Sequence, residues 1–293
     1  MISIDESRCN LCGICVPVCV RRILTKGEKG ILIADRTLCF ACGHCKAVCP
    51  TDAPQLPGLN EQFQPAPLKK EIPAAGELFR LFRRRRSLRV YRPDRVEKEK
   101  LKMLIEAGRY APTGANRQAC EYTVVNGRKI LDQTCTLATQ ALQEEGKKIQ
   151  EMVDQHRMAK KPLPEDLDSQ QYFPAIWGRI ANRWKEGTDQ LLHNAPALIL
   201  IHVKEHAATT AEIDAGIAAT QMTLLAEALG LGTCFIAFLV RTLQGSKALR
   251  DLLKIPEGNR VYVALTVGYP AVTYLRLVGR RPAKVKWVGD YAD

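Results

Sequence analysis

No stretch of this chain approaches the roughly 20 consecutive apolar residues that a membrane span needs. The longest apolar run, around Ala195 to Val203, has the length of a strand and contains His202. No membrane partner is expected. No G-x-G-x-x-G follows a predicted strand, so a Rossmann-type dinucleotide site is absent. The 43 Lys and Arg residues against 31 Asp and Glu give a formal charge of +12. No zinc-finger, helix-turn-helix or RNA-binding signature accompanies that excess, and nucleic acid is not expected either. The opening MISIDESRCN lacks an apolar signal region, which predicts a reducing, cytoplasmic setting. At 293 residues and 46% hydrophobic, the chain is long enough for about two domains, one with a sizeable core.

Cysteine is plentiful and patterned. Eight of the eleven cysteines form two runs, Cys9, Cys12, Cys15, Cys19 and Cys39, Cys42, Cys45, Cys49, both spaced C-x2-C-x2-C-x3-C. Three thiolates at every third position let one tight loop wrap three corners of a four-iron cube, and the fourth cysteine ligates the other cluster. A structural zinc ion needs only four ligands and leaves the third cysteine of such a run unused. The runs repeat at an offset of thirty residues, pairing Asp5 with Asp35, Cys9 with Cys39 and Gly13 with Gly43, as a duplicated unit would. This pattern resembles the bacterial two-cluster ferredoxins. The usual proline after the last cysteine stands only in the second run, as Pro50; Val20 replaces it in the first. Two 4Fe-4S clusters are therefore expected over residues 1–58. Their thiolates and sulfides carry negative charge, so the effective basic excess is smaller than the formal one.

Six prolines from Pro50 to Pro73, with no helical or strand period around them, predict an extended connection, with the linker at 59–75. Beyond it, Asp94 with Glu97 three residues on reads as a helix start. Glu121 to Val125, Ala197 to Val203 and Tyr262 to Val267 read as strands, and 212–229 as a buried helix stopped at Gly230. Residues 136–190 are charged and helix-forming with a break at Pro162 and Pro164, and are expected to be a helical insertion. Interleaved strands and helices predict an α+β fold, a small two-cluster domain followed by a layered domain at 76–293 with a central sheet packed by helices.

Four separated motifs in that second domain resemble the FMN-dependent nitroreductases. They are Arg85-Arg86-Ser87-Leu88-Arg89, the segment Ala111-Pro112-Thr113-Gly114-Ala115-Asn116-Arg117-Gln118, Gly230-Leu231-Gly232-Thr233-Cys234-Phe235-Ile236-Ala237, and Gly268-Tyr269-Pro270 followed by Arg280-Arg281-Pro282. The resemblance implies that Arg85, Arg86, Ser87, Arg89, Arg280 and Arg281 hold the FMN phosphate. It further implies that Pro112, Thr113, Asn116 and Gln118 reach the flavin across a homodimer interface, and that backbone amides at Ile236 or Ala237 meet its redox nitrogen. Thr113, Phe235 and Ala237 depart from the family's usual serine, tryptophan and glycine, and Ala119-Cys120 replaces a common Pro-Trp, which opens the substrate side. Cys120 is expected to be a small buried thiol rather than a reactive one, and Cys135 and Cys234 to lie in the core.

Joined, the two parts imply an oxidoreductase that passes electrons through two clusters to FMN and on to an organic acceptor such as a nitroaromatic or a quinone. The donor is expected to be an external ferredoxin or other redox protein, with NAD(P)H at the flavin as the second possibility. No catalytic side chain is assigned, since flavin and solvent can supply protons. An electron carrier or redox sensor with flavin as relay, a reductive dehalogenase and a flavin-remodelling enzyme are the alternatives on the same fold.

Overall fold

The structure, a computed structural model, describes residues 1–59 and 63–289. Residues 60–62 of the expected linker and 290–293 of the expected second domain lie outside the described residues.

The cluster-bearing region is built from four short strands and one helical turn: β1 (Ser3–Ile4), β2 (Leu24–Lys26), β3 (Ile31–Ile33), α1 (His44–Ala47) and β4 (Pro54–Gln55). β1 pairs antiparallel with β4 and β2 with β3, so each ribbon stitches a strand of one cysteine run to a strand of the other. Ile2, Ile23, Leu24, Ile31 and Leu56 are buried with Cys15 and Cys45 in a core of their own. The duplication extends to the backbone. Leu11 and Ala41 take φ of 59° and 49°, Gly13 and Gly43 of 76° and 78°, Arg22 and Asp52 of 51° and 57°. The proline-rich stretch begins inside the packed domain: Pro54–Gln55 is a ladder strand, and Ala53 and Leu56 are buried.

The second region follows as α2 (Ala75–Arg84), α3 (Lys98–Arg109), β5 (Glu121–Val125), α4 (Arg128–Met158), α5 (Glu165–Gln170), α6 (Phe173–Lys185), β6 (Ala197–Lys204), α7 (Ala211–Ala228), β7 (Gly232–Phe235), α8 (Ala237–Gly245), α9 (Lys247–Leu252) and β8 (Asn259–Gly268). Its sheet runs β5-β6-β8-β7, every pair antiparallel. The apolar run of β6 is explained by burial on both faces. Leu198 and Leu200 pack on one side with α4, α6, α8 and α9, whereas Ala197, Ile199 and Ile201 pack on the other with α3 and α7. Fully burying each such Leu or Ile is worth about 1.5–3 kcal/mol, which makes this strand the anchor of a helix–sheet–helix sandwich. Residues 136–190 contribute Leu142, Ile149, Val153 and Trp177 to the first of those cores. The chain breaks after Met158, with Lys160 in the left-handed region, before Pro162 and Pro164.

Two details differ from the sequence reading. α3 begins at Lys98 with Glu97 as its cap residue, and Asp94 instead pairs with Arg92 at 3.1 Å. The Glu97 carboxylate is taken by the Tyr269 hydroxyl, which donates to it at 2.5 Å. β6 also carries a bulge at Ile201/His202. There the buried His202 accepts from the Asn259 amide at Nδ1 (2.8 Å) and donates from Nε2 to Thr123 Oγ1 (3.0 Å), a satisfied core histidine.

Candidate functional site

The eight patterned cysteines line two separate cavities. One is lined by Cys9, Cys12, Cys15 and Cys49. The other is lined by Cys39, Cys42, Cys45 and Cys19. Each takes three cysteines from one run and the last cysteine of the other, the crossover that the spacing requires. Among the described residues no three His, Cys, Asp or Glu side chains close around a single metal ion. Four thiols around each cavity, three from one run and one from the other, are the donor set that a 4Fe-4S cluster takes. Burial raises the Cys15 thiol and pushes Cys45 up to about 11; a bound metal core would supply the positive charge that favours their thiolates. Burial also opposes ionisation of Cys49, but hydrogen bonds with Thr51 and from the Ala53 N–H (3.4 Å) hold its thiol below the usual range. The Ala41 N–H donates to Cys39 Sγ at 3.4 Å.

The second site lies at the free edge of the sheet. Residues 87–92 run along β7 and the end of β8: Leu88 N–H donates to Thr233 O (2.9 Å), Arg92 N–H to Tyr269 O (2.9 Å), and Ala271 N–H returns to Val90 O (3.0 Å). Leu88 is thereby pressed onto Gly232, where a Cβ would lie 2.3 Å from Leu88 Cδ2. Only glycine admits this approach, which explains the second glycine of the Gly230-Leu231-Gly232 motif. Anchored so, Arg85, Arg86, Ser87 and Arg89 line an opening of about 290 Å3 with Arg280, Tyr274 and Val278. Four guanidinium groups and a hydroxyl converge with no carboxylate on the wall. That donor set matches a phosphate, which takes charge-assisted and bidentate hydrogen bonds.

The other expected residues fall elsewhere. Pro112, Thr113, Asn116, Gln118, Ile236, Ala237 and Arg281 do not line this opening. The Ile236 N–H already donates to Ala264 O at 2.9 Å, whereas Ala237 is exposed at the first position of α8, where backbone amides lack helical partners. The 113–118 segment is tightly folded, with Ala115, Asn116 and Gln118 all at φ near 50°. Such left-handed non-glycine residues cost of order 1–3 kcal/mol each and persist where neighbours fix them. Here Gly114 N–H donates to Asp214 Oδ1 (3.1 Å), as does Thr210 Oγ1 (3.1 Å), and Gln118 N–H donates to Thr113 Oγ1 (3.0 Å). Asp214 is buried on the first turn of α7, and its Oδ2 has no hydrogen-bond partner. The sequence reading missed it, since an acid in the first turn of a helix is ordinary.

Asn116 faces the cluster-bearing region. Its Nδ2 donates to Phe40 O (3.1 Å) and Ala41 O (3.0 Å). Both N–H bonds of the amide are spent there, leaving Oδ1 as an acceptor. The second cysteine loop is thus tied directly to the 113–118 segment. Cys120, nearby in sequence, is pushed up to about 11 by burial and by Asp214, which makes it a poor nucleophile at neutral pH. Cys135 and Cys234 are core residues, as expected.

A duplicated cysteine fold tied to an antiparallel helix–sheet sandwich with an arginine-walled opening defines a two-part redox protein. Residues 82–269, more than half of the chain, match the Nitroreductase family, and residues 4–53 match the 4Fe-4S dicluster domain. The chain belongs to the nitroreductase family and carries a 4Fe-4S dicluster ferredoxin domain at its N-terminal side. It is 24% identical over 194 residues to a protein of Archaeoglobus fulgidus named as a putative NADH dehydrogenase/NAD(P)H nitroreductase, covering 66% of this chain and 86% of that one. Among solved structures, it resembles an FMN-bound nitroreductase of Bacteroides fragilis (TM-score 0.55, 22% identity, 73% of this chain and 99% of that one). An FMN-dependent nitroreductase of Clostridium difficile gives a TM-score of 0.50 at 22% identity, over 73% and 100% of the two chains. These likenesses establish the fold, that of the nitroreductases. No helix among the described residues is long and apolar enough to cross a membrane.

Proposed function

We propose that this protein is an FMN-dependent oxidoreductase in which two 4Fe-4S clusters, held over residues 1–58, feed electrons to a flavin held by residues 76–293, with 59–75 as the connection. The observation that carries the reading is the hydrogen-bonded contact of Asn116 with Phe40 and Ala41. It sets one cysteine cavity against the nitroreductase-type domain and leaves the other outside that contact. Cys9, Cys12, Cys15 and Cys49 would hold the cluster that accepts electrons from a ferredoxin-like donor, and Cys19, Cys39, Cys42 and Cys45 the one that would pass them on. FMN, when bound, supplies one- and two-electron chemistry in one place.

On this reading Arg85, Arg86, Ser87, Arg89 and Arg280 bind the phosphate, with Arg281 beside them, and the Ala237 amide is the free backbone donor at the ring. Pro112, Thr113 and Gln118 act from the second copy of a homodimer. The apolar side chains Leu78, Phe79 and Phe82 of α2, exposed in the single chain, support that assembly. The acceptor is a conjugated organic molecule such as a nitroaromatic or quinone. An anaerobic absorbance titration tests the path. Reduced ferredoxin should bleach the cluster bands first and the flavin band next. Bleaching of flavin alone by NADPH, with the clusters untouched, would make the donor a nicotinamide and the cluster path wrong.

A further inference from the structure

Phe40 C=O and Ala41 N–H are the two ends of one planar peptide group. Its oxygen accepts from Asn116 Nδ2 at 3.1 Å, and its N–H donates to Cys39 Sγ at 3.4 Å. Asn116 also holds the next carbonyl, Ala41 O, at 3.0 Å. A side chain of the nitroreductase-type domain therefore sits one peptide away from a cluster-ligating sulfur. Hydrogen bonds in series polarise one another, by about 10–30% per bond. A donor on Phe40 O makes the Ala41 N–H a better donor to sulfur.

Resting on the cluster reading above, we propose that Asn116 is a positioning residue for the second cluster, raising its potential across the domain boundary through the Phe40–Ala41 peptide. The reason is electrostatic. Adding an electron increases negative charge on the thiolates and sulfides, and a stronger N–H donor stabilises the reduced state more than the oxidised one. Among the described residues the first cavity has no such outside partner. Its sulfur contacts, Ala53 N–H and the Thr51 hydroxyl, belong to its own region, and Cys12 N–H is taken by the Asn10 side chain at 3.3 Å. Docking of the two domains thus biases electrons toward the cluster that faces the nitroreductase-type domain. It also assigns Asn116 a use other than flavin contact.

The test is an anaerobic redox titration of the full, cluster-loaded protein followed by electron paramagnetic resonance, comparing wild type with Asn116→Gly. Glycine deletes the donor and suits the left-handed backbone at that position. The expected result is a lower midpoint potential for one cluster and an unmoved potential for the other. Asn116→Asp keeps the shape and the backbone tolerance but replaces the donor with a charge, and should move the same signal further in the same direction. If Asn116→Gly does not load clusters, the aspartate variant decides alone. Two unmoved potentials, an upward shift, or equal shifts in both clusters would overturn the inference. Iron and sulfide analysis separates the two levels: a wild-type protein that holds no clusters breaks the proposed function, whereas loaded variants with unmoved potentials break only the role of Asn116.

Discussion

The two cysteine loops are near copies in backbone and differ in what closes them. Both carry the same turn bonds: Val16 N–H to Gly13 O and Lys46 N–H to Gly43 O are each 3.0 Å, and Cys19 N–H to Val16 O and Cys49 N–H to Lys46 O are 3.2 and 3.1 Å. The chain even turns alike after the fourth cysteine, where Arg22 N–H meets Cys19 O and Asp52 N–H meets Cys49 O. Val20 therefore serves where Pro50 stands in the copy. At the top of the loop they part. Asn10 closes the first from within, whereas Phe40, with Arg21 at 4.5 Å over its ring, leaves the second to be closed by Asn116. Duplication preserved the ligand geometry and freed one copy to serve a second domain.

The largest effect should come from breaking the crossover. Cys19→Ala removes a ligand from the cavity of the other run, and Cys49→Ala does the reverse. Each variant should lose about half of the iron. The survivors should differ in one respect: the cluster left in Cys49→Ala still responds to Asn116→Gly, and the cluster left in Cys19→Ala does not. A survivor that behaves the opposite way would show that each run keeps its own cluster.

The ligand set was legible because thiolate spacing is a local property, fixed by loop geometry over eleven residues. Glu121–Val125 was legible to the residue, and β6 and α7 to within one, since their apolar patterns match burial on one face or two. What was not legible depends on long-range pairing. The segment 87–92 forms hydrogen bonds to β7 and β8 more than 140 residues away, and nothing in the arginine block announces that edge. Pro54–Gln55 lies inside the expected 1–58 domain, but its two residues are too few for a strand period to show. Asn116 was read from a motif as a flavin contact, and its partner, Phe40, lies in a region the motif does not include. Asp214 gave no signal of its own, because one acid in the first turn of a helix is ordinary dipole compensation.

Asp214 offers the next test of the asymmetry. Its Oδ1 holds both Gly114 N–H and Thr210 Oγ1. Asp214→Ala removes two hydrogen bonds to a buried carboxylate and should cost about 3 kcal/mol. Amide exchange should then speed up at Phe40 to Cys42 and stay unchanged at Asn10 to Cys12. Equal acceleration in both loops would mean that Asn116 does not couple the segment to one loop in particular. Gly232→Ala should cost less, about 1–3 kcal/mol from overpacking against Leu88. It displaces the arginine-bearing strap, so FMN retention should fall while iron content and both cluster potentials hold. Loss of iron in this variant would tie the first site to the strap and erase the separation drawn here.

The smallest effect should be one in which the loops do not differ. Asp5 Oδ1 accepts from Ser7 N–H and Oγ at 3.0 and 2.6 Å, and Asp35 Oδ1 accepts from Thr37 N–H and Oγ1 at 2.8 and 2.6 Å. The hydroxyl bond is the main cause that lowers each carboxyl from 3.8. A carboxyl lowered on folding stabilises the native state fully above its unfolded value and loses that contribution as pH falls through its folded one. The deficit of Asp5→Asn relative to wild type in thermal unfolding should therefore be present at neutral pH and shrink as pH drops below 3.8. Asp35→Asn should follow the same curve. Asp5 is half-buried and also pairs with Arg8 at 3.3 Å, whereas Asp35 is exposed, so high salt should weaken the Asp5→Asn deficit more. A deficit confined to one variant would mean that the asymmetry at Asn10 and Asn116 reaches back to the loop entrances, and that the two copies are distinct from their first turn onward.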